Sequence, residues 1–177
     1  MKNGIAAILA TLTFVPLTGC EREAAPLDLN AIRYQADTAR ERIWTLTREG
    51  VALQARAKPG KTAIELADWS WVDPQWACPP DLAVGPKGEA VITSNVIPTL
   101  WKVDPETLAV TVHPLALGSD TDRDFGFSKL VYSRDKGVFI ATSDVFPSTW
   151  EIDPQLTRAR KIAQGAPGSS PCPAAGQ

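Results

Sequence analysis

Metal-binding side chains are scarce in this chain of 177 residues, which contains one histidine, three cysteines and one methionine. Zinc sites are built mainly from histidine and cysteine, and copper also prefers imidazole and sulfur ligands, so we expect neither metal. The sequence also lacks a phosphate-binding loop and a dinucleotide-binding fingerprint. We therefore expect no cofactor.

An excess of positive charge is missing as well. The chain has 18 basic and 20 acidic residues, a net charge of −2 and an isoelectric point near 5.4. Nucleic-acid-binding domains usually show a clustered basic surface, so this class of partner is excluded. Apolar and charged residues make up 44% and 21% of the chain, which is typical of a globular protein.

Catalytic signatures are few. A Ser-His-Asp triad would have to use His113, the single histidine, and no G-x-S-x-G nucleophile motif is present. We therefore assign no catalytic residue and favour a non-catalytic role. A hydrolase or lyase stays open as an alternative, because the separation of two carboxylates in space is not visible in a sequence.

The apolar stretch near the start of the chain is short. It runs from Ile5 to Leu17 after a positive Lys2, whereas a membrane span needs about 20 residues. This pattern fits the apolar region of a signal peptide. The stretch ends in Leu17-Thr18-Gly19-Cys20, which resembles the lipobox of bacterial lipoproteins.

The lipobox resemblance implies a lipid anchor. Residues 1–19 would be removed as a signal peptide, and Cys20 would carry the acyl chains, palmitate among them, that hold the protein on a membrane. Two or more acyl chains attach a protein stably. The alternative is an ordinary cleaved signal peptide with Cys20 as a thiol. The next residue is Glu21 rather than the aspartate that retains enterobacterial lipoproteins in the inner membrane, which favours the outer membrane, facing the periplasm.

An internal repeat is the strongest signal for the fold. An offset of 49 residues places Lys87-Gly88 on Lys136-Gly137 and gives nine identities over positions 87–105. Each copy has four short candidate strands separated by turns that contain glycine or proline. Trp101 and Trp150 occupy the same position in the two copies, as packing between modules requires, so we expect both in the core.

The repeat resembles the blades of bacterial periplasmic β-propellers of the NHL and YVTN kind, through its Lys-Gly turn and its Trp-x-apolar-Asp-Pro hairpin. The resemblance covers residues 80–160 and implies an all-β fold of four-stranded antiparallel modules. A weaker first copy would have strands at Ala31–Asp37, Arg42–Thr47, Val51–Ala57 and Thr62–Ala67. Two alternatives stay open there, a register that matches Trp44 to Trp101 and a helix over residues 27–47.

The number of repeats limits the architecture. After a tether at 20–30, three modules of about 45 residues fill a β domain at 31–165, and residues 166–177 form a flexible tail. Closed propellers typically have four to eight blades, so two to three modules are too few for a closed ring. An open fan, a ring completed by another chain, and a shortened relative of a longer propeller are the alternatives. Open sheet edges invite pairing, so we expect a protein partner or self-association.

Two cysteines remain if Cys20 carries lipid. The oxidising periplasm favours a disulfide between Cys78 and Cys172, and the alternative is two free thiols.

Two further clusters are candidate sites. Trp69, Trp71 and Trp76 could form an aromatic platform for a glycan or another small ligand, and packing between modules is the alternative. The spacing of Asp120, Asp122 and Asp124 is that of an EF-hand calcium loop. Phe125 and Val131 replace its required glycine and glutamate, so a solvated loop is favoured over a calcium site.

These observations predict an envelope lipoprotein that acts as a non-catalytic binding or scaffold module. A glycan- or ligand-binding protein that uses the Trp-rich loop is the first alternative.

Overall fold

The computed structural model describes residues 30–73, 76–118 and 126–165. Within them, 13 β-strands form three separate sheets, and the one helical element is a single 3-10 turn at Thr38–Arg40. The predicted all-β class and the three modules are confirmed. Several predicted features lie outside the described residues: the signal peptide, Cys20, most of the tether, the triplet Asp120, Asp122 and Asp124, Cys172 and the tail.

Sheet A is an antiparallel meander of β1 (Ala31–Asp37), β2 (Arg42–Thr47), β3 (Gly50–Ala55) and β4 (Thr62–Glu65). The helix alternative is therefore wrong for residues 31–47. Alanine, arginine and glutamate favour a helix locally, but alternate side chains of the two middle strands are apolar and pack against sheet B: Trp44 and Leu46 of β2, and Val51 and Leu53 of β3. Burial of that face outweighs the local preference.

The two registers weighed for the first module are now resolved. Trp44 lies in β2, the second strand of its sheet, whereas Trp101 lies in the third strand of the next sheet. The register that matched these two tryptophans is wrong. The register with four strands that start at residue 31 is confirmed to within two residues at most boundaries.

Sheet B is a second meander of β5 (Leu82–Val84), β6 (Ala90–Thr93), β7 (Thr99–Val103) and β8 (Val110–Pro114). The last strand begins at Val110, because Leu108 has a φ of 59° and lies in the turn that precedes the strand. Leu156 has the same φ at the matching turn of the next module.

Sheet C has five strands, in the order β10 (Lys129–Ser133), β11 (Val138–Ser143), β12 (Ser148–Ile152), β13 (Arg158–Gln164) and β9 (Ala116–Leu117). β9 belongs to the segment that leaves sheet B, and it pairs parallel to β13. Ala116 N–H donates to the Thr157 carbonyl at 2.9 Å. The outer edge of sheet C is therefore covered by the connection from sheet B.

The three sheets are stacked with sheet B in the middle. One hydrophobic core lies between sheets A and B, and it includes Trp44, Leu46, Leu82 and Trp101. A second core lies between sheets B and C, and it includes Val91, Leu100, Phe139 and Trp150. Trp101 and Trp150 are each buried against the preceding sheet, which confirms the core role predicted for both.

The first strands of the three sheets, which we call the inner strands, lie side by side, because β1 and β10 both contact β5. Just ahead of β5, the Asp81 carboxylate lies 3.3 Å from Arg33 of β1 and accepts the Leu130 N–H of β10 at 2.9 Å. These bonds bring together the beginnings of all three inner strands. The described residues therefore form an open fan of three blade-like sheets.

Candidate functional site

The fan has two ends with different surfaces. We call the end where the inner strands begin the aromatic end; it comprises residues 48–49, 66–73, 76–81, 94–98, 126–128 and 144–147. The opposite end, which we call the charged end, comprises residues 38–41, 56–61, 85–89, 104–109, 134–137 and 153–157. Each end is held together by contacts between modules: Phe127 N–H donates to the Ser94 carbonyl at 2.7 Å, and Arg40 donates to the Pro86 carbonyl at 3.5 Å.

At the aromatic end, the segment that precedes β5 is fastened across the β6–β7 loop. Ser94 Oγ donates to the Ser70 carbonyl at 2.6 Å, and Val72 N–H donates to Asn95 Oδ1 at 2.9 Å. The Asn95 amide nitrogen donates in turn to the carbonyls of Val72 and Cys78. A stretch without regular strands is thus held in one conformation by a single polar loop.

The three tryptophans singled out from the sequence separate into a pair and a single residue. Trp69 and Trp71 are stacked with ring centroids 6.0 Å apart, and both pack on the core between sheets A and B. The Arg48 guanidinium covers Trp71 at 5.4 Å from the ring centroid. Trp76 is 76% exposed, and no ring contact joins it to the other two in the described part of the chain. A platform made of all three stays a prediction.

Asp81 is a largely buried charge with partners in all three sheets. Besides its bonds to Arg33 and Leu130, Oδ1 accepts the Leu82 N–H at 2.9 Å. Burial raises the pKa of the Asp81 carboxyl above its ordinary value, although the two N–H donors and the nearby Arg33 charge oppose the shift. Sequence analysis missed this residue, because no local pattern around Asp81 identifies partners on two other sheets.

A groove of about 600 Å³ runs along the inner strands where β1, β5 and β10 converge. Asp37, Arg40, Tyr132 and Arg134 line it, and Arg40 Nη1 lies 3.3 Å from the Asp37 carboxylate. These side chains give the groove polar and charged walls. They come from two modules, so the groove could be found only once the stacking of the sheets was known.

The outward face of sheet C carries apolar side chains at positions whose counterparts in sheet B are buried. On sheet B, the row of Ala83 and Val91 is buried against sheet C. The corresponding row of sheet C holds Val131 and Ile140, of which Val131 is 46% exposed and Ile140 half-buried. Sheet B uses these positions to pack against sheet C. Sheet C therefore presents apolar side chains at the same positions on its outward face.

Further polar groups have local partners. His113 Nε2 lies 2.9 Å from Thr111 Oγ1, and burial, helped by the Lys102 charge, lowers the pKa of the imidazole. Ser128 Oγ donates to the Asp144 carboxylate. Among the described residues, no group of three histidine, cysteine or acidic side chains could hold a metal ion. Residues 30–73, 76–118 and 126–165 also contain no helix of the length and apolarity that a membrane span requires.

Comparison with known proteins supports the fold alone. No protein-family model and no curated protein sequence matches the chain. The chain is similar in structure to a chain of Kuenenia stuttgartiensis hydrazine synthase, with a TM-score of 0.54 and 13% sequence identity. The match covers 83% of this chain and 39% of that chain. At this identity the likeness extends to the arrangement of strands and carries no activity across.

Proposed function

We propose that this protein is a lipid-anchored periplasmic lipoprotein that serves as a non-catalytic binding or scaffold module of the bacterial envelope, with blades of the NHL and YVTN kind. Cys20 is the site of acylation, and the absence of the inner-membrane retention aspartate at position 21, which is Glu21, places the protein in the outer membrane. The fan binds a protein partner through its last module. The partner contributes a further β-sheet, either from another protein or from a second copy of this chain.

The observation that carries the proposal is the outward face of sheet C. In the middle module, Val91 and its neighbours are removed from water by the next sheet. In the last module, Val131 and Ile140 stand at the same positions without such a cover in the described residues. Burial of apolar area is the main favourable term in protein association, so this face favours a sheet-bearing partner.

A photoreactive residue at Val131 tests the binding face in the full-length protein in its native membrane. Val112, on the outer strand of sheet B, is the matched control, because the two valines are 46% and 45% exposed. We expect one defined adduct from position 131 and none from 112. An adduct of twice the chain mass identifies a second copy, and any other defined mass identifies a different partner. Equal labelling at both positions, or none at either, contradicts the proposal.

The lipid anchor has a separate test. Mass spectrometry of the N-terminal peptide should show acylated Cys20 in the wild type, and the Cys20→Ser variant should lose this mass and its partition into detergent. An unmodified Cys20 thiol in the mature wild-type chain would show that the protein is not a lipoprotein.

We also propose a disulfide between Cys78 and Cys172. The side chain of Cys78 is buried, and its carbonyl accepts the Asn95 amide at 3.1 Å, so this half of the pair is already held in place. The bond would tie the end of the chain to the aromatic end of the fan.

A further inference from the structure

Exposed apolar side chains are concentrated at the aromatic end. The three most exposed large apolar residues of the described chain are Trp76, Phe146 and Val145, at 76%, 55% and 52%. Ile97 of the neighbouring loop is also exposed. None of the large exposed apolar residues of the described chain lies in the loops of the charged end. The asymmetry points to an apolar surface that meets the aromatic end.

Charged side chains are concentrated at the opposite end. The basic residues of the charged end are Arg40, Arg56, Lys58, Lys61, Lys87, Arg134 and Lys136. Its acidic residues include Glu41, Glu89, Glu106 and Asp135, so the two signs are mixed. At the aromatic end, the exposed Arg48 is paired with Asp73 at 3.4 Å. The remaining charged residues of this end are acidic: Glu49, Asp68, Asp81 and Asp144. The aromatic end therefore has no basic patch for anionic lipid, and a membrane contact through it would depend on its apolar side chains.

The chain reaches the fan at the aromatic end. β1 runs from Ala31 toward the charged end, so Asn30 lies at the aromatic end. About ten residues separate Asn30 from Cys20, and that length spans at most about 35 Å when fully extended. An anchor at Cys20 would thus keep Asn30, and with it the aromatic end, within about 35 Å of the bilayer.

We propose that the aromatic end docks on the lipid bilayer, with Trp76, Phe146 and Val145 inserted at the level of the headgroups. This inference rests on the lipid anchor of the proposed function and adds the surface and the orientation of contact. Tryptophan is enriched at membrane interfaces, because its ring is amphipathic, and apolar loops bind there in proportion to the area they bury. Docking in this orientation leaves the outward face of sheet C accessible to a protein partner.

The test uses the acylated full-length protein in phosphatidylcholine vesicles whose acyl chains carry bromine, which quenches tryptophan fluorescence on contact. We expect a loss of emission in the wild type that is clearly smaller in Trp76→Phe, because Trp76 is 76% exposed, whereas Trp69 and Trp71 of the same end are half-buried and the other three tryptophans lie in the cores. In phosphatidylcholine the loss should be unchanged by high salt, and added anionic phosphatidylglycerol should not increase it, because the basic residues lie at the other end. No quenching of Trp76 in the acylated protein would overturn the proposal.

A second variant tests the surface without changing the fluorophore. Val145→Ser/Phe146→Ser removes two apolar contacts and should weaken vesicle docking about tenfold, since each side chain buries apolar area at the interface. Val112→Ser is the matched control and should leave the quenching of Trp76 unchanged. If Val112→Ser reduced the quenching of Trp76 as much as Val145→Ser/Phe146→Ser does, the result would contradict a role for the aromatic end.

The outcomes separate the docking surface from the anchor. Acylated Cys20 without quenching overturns the docking surface and leaves the lipoprotein intact. Unmodified Cys20 overturns the lipoprotein, and protein added to preformed vesicles then reports whether the aromatic end binds lipid without an anchor. If Trp76 is shielded from aqueous quenchers in native membranes but not in vesicles, a protein covers this end and the lipid proposal is wrong.

Discussion

The carboxylate of Asp81 connects residues of all three modules. It contacts Arg33 of sheet A at 3.3 Å, and it accepts N–H groups from Leu82 of sheet B and Leu130 of sheet C. Both Arg33 and Asp81 are largely withdrawn from solvent. Removal of one partner of such a buried pair leaves the other charge uncompensated, which costs more than the pair itself contributes.

We therefore expect Arg33→Met to lower the free energy of unfolding at pH 7 by about 3 kcal/mol, because the Asp81 carboxylate stays buried without its counter-ion. Arg33→Met/Asp81→Asn should recover most of this loss, since neither charge remains. Urea unfolding of the wild type, Arg33→Met and the double variant measures both effects. A double variant that is no more stable than Arg33→Met would show that the pair is not coupled.

The same carboxylate predicts an unusual pH dependence. Burial raises the pKa of Asp81 above the ordinary value of 3.8, so the folded state binds its proton more readily than the unfolded state. The stability contribution of this group therefore falls as pH rises from 3.8 through the raised value. Urea unfolding across this range should show the decline in the wild type and its absence in Arg33→Met/Asp81→Asn.

At the scale of elements, two matching turns close the outer hairpins of sheets B and C. Asp153 accepts N–H groups from Gln155 at 2.9 Å and from Thr157 at 3.1 Å, as well as the Thr157 hydroxyl. Asp104 makes the corresponding bonds to Glu106 and Thr107. Such side-chain bonds to the following backbone define an Asx-type turn and explain why Asp-Pro recurs in both copies of the repeat.

We expect Asp153→Ala to destabilise the fold by about 1 kcal/mol at pH 7, since several N–H groups lose their acceptor. Burial alone would raise the pKa of Asp153, but the donated N–H and hydroxyl groups outweigh it and hold the pKa below 3.8. The stability that the ionised Asp153 carboxylate contributes is therefore fully present above pH 3.8, and it is lost as pH falls through the lowered pKa. Thermal unfolding of wild type and variant should converge at low pH; a constant difference at every pH would contradict this origin.

At the scale of the whole molecule, the segment that leads into sheet C is packed against the β6–β7 loop of sheet B. Gly126 permits this close approach, because a Cβ there would lie 2.1 Å from the Ser94 carbonyl oxygen. Gly126→Ala should therefore separate this segment from the β6–β7 loop and weaken the docking of sheet C on sheet B. The expected result is a lower unfolding midpoint in urea; an unchanged midpoint would show that the loop can shift without cost.

The proposed Cys78–Cys172 disulfide also acts at this scale, because it would close a loop that contains sheets B and C. We expect the oxidised mature protein to take up no alkylating reagent at these cysteines until it is denatured and reduced. Closure of so long a loop is worth about 4 kcal/mol in the chain-entropy model, so reduction should lower the unfolding midpoint markedly. Rapid alkylation of both cysteines in the unreduced denatured protein would exclude the bond.

The repeat was enough to predict two to three modules, the strand content of the two modules that it covers, and the burial of Trp101 and Trp150. These properties follow from local rules: glycine and proline end strands, alternating apolar residues define a buried face, and a residue repeated at one position marks packing between identical units. The first module was harder, because Trp44 and its neighbours share no clear identity with the other copies, and two registers and a helix fitted the same stretch.

Only the stacking of the sheets shows which residues of different modules are close together. Asp81 becomes the common acceptor of three strands, Arg40 and Tyr132 meet along one groove, and Trp76, Phe146 and Val145 share one end only because the fan brings their loops together. None of these neighbours is close in the sequence, so no local pattern records them. The sequence by itself determined the modules, and the tertiary structure determined the surfaces, because a surface arises only where distant segments are packed against each other.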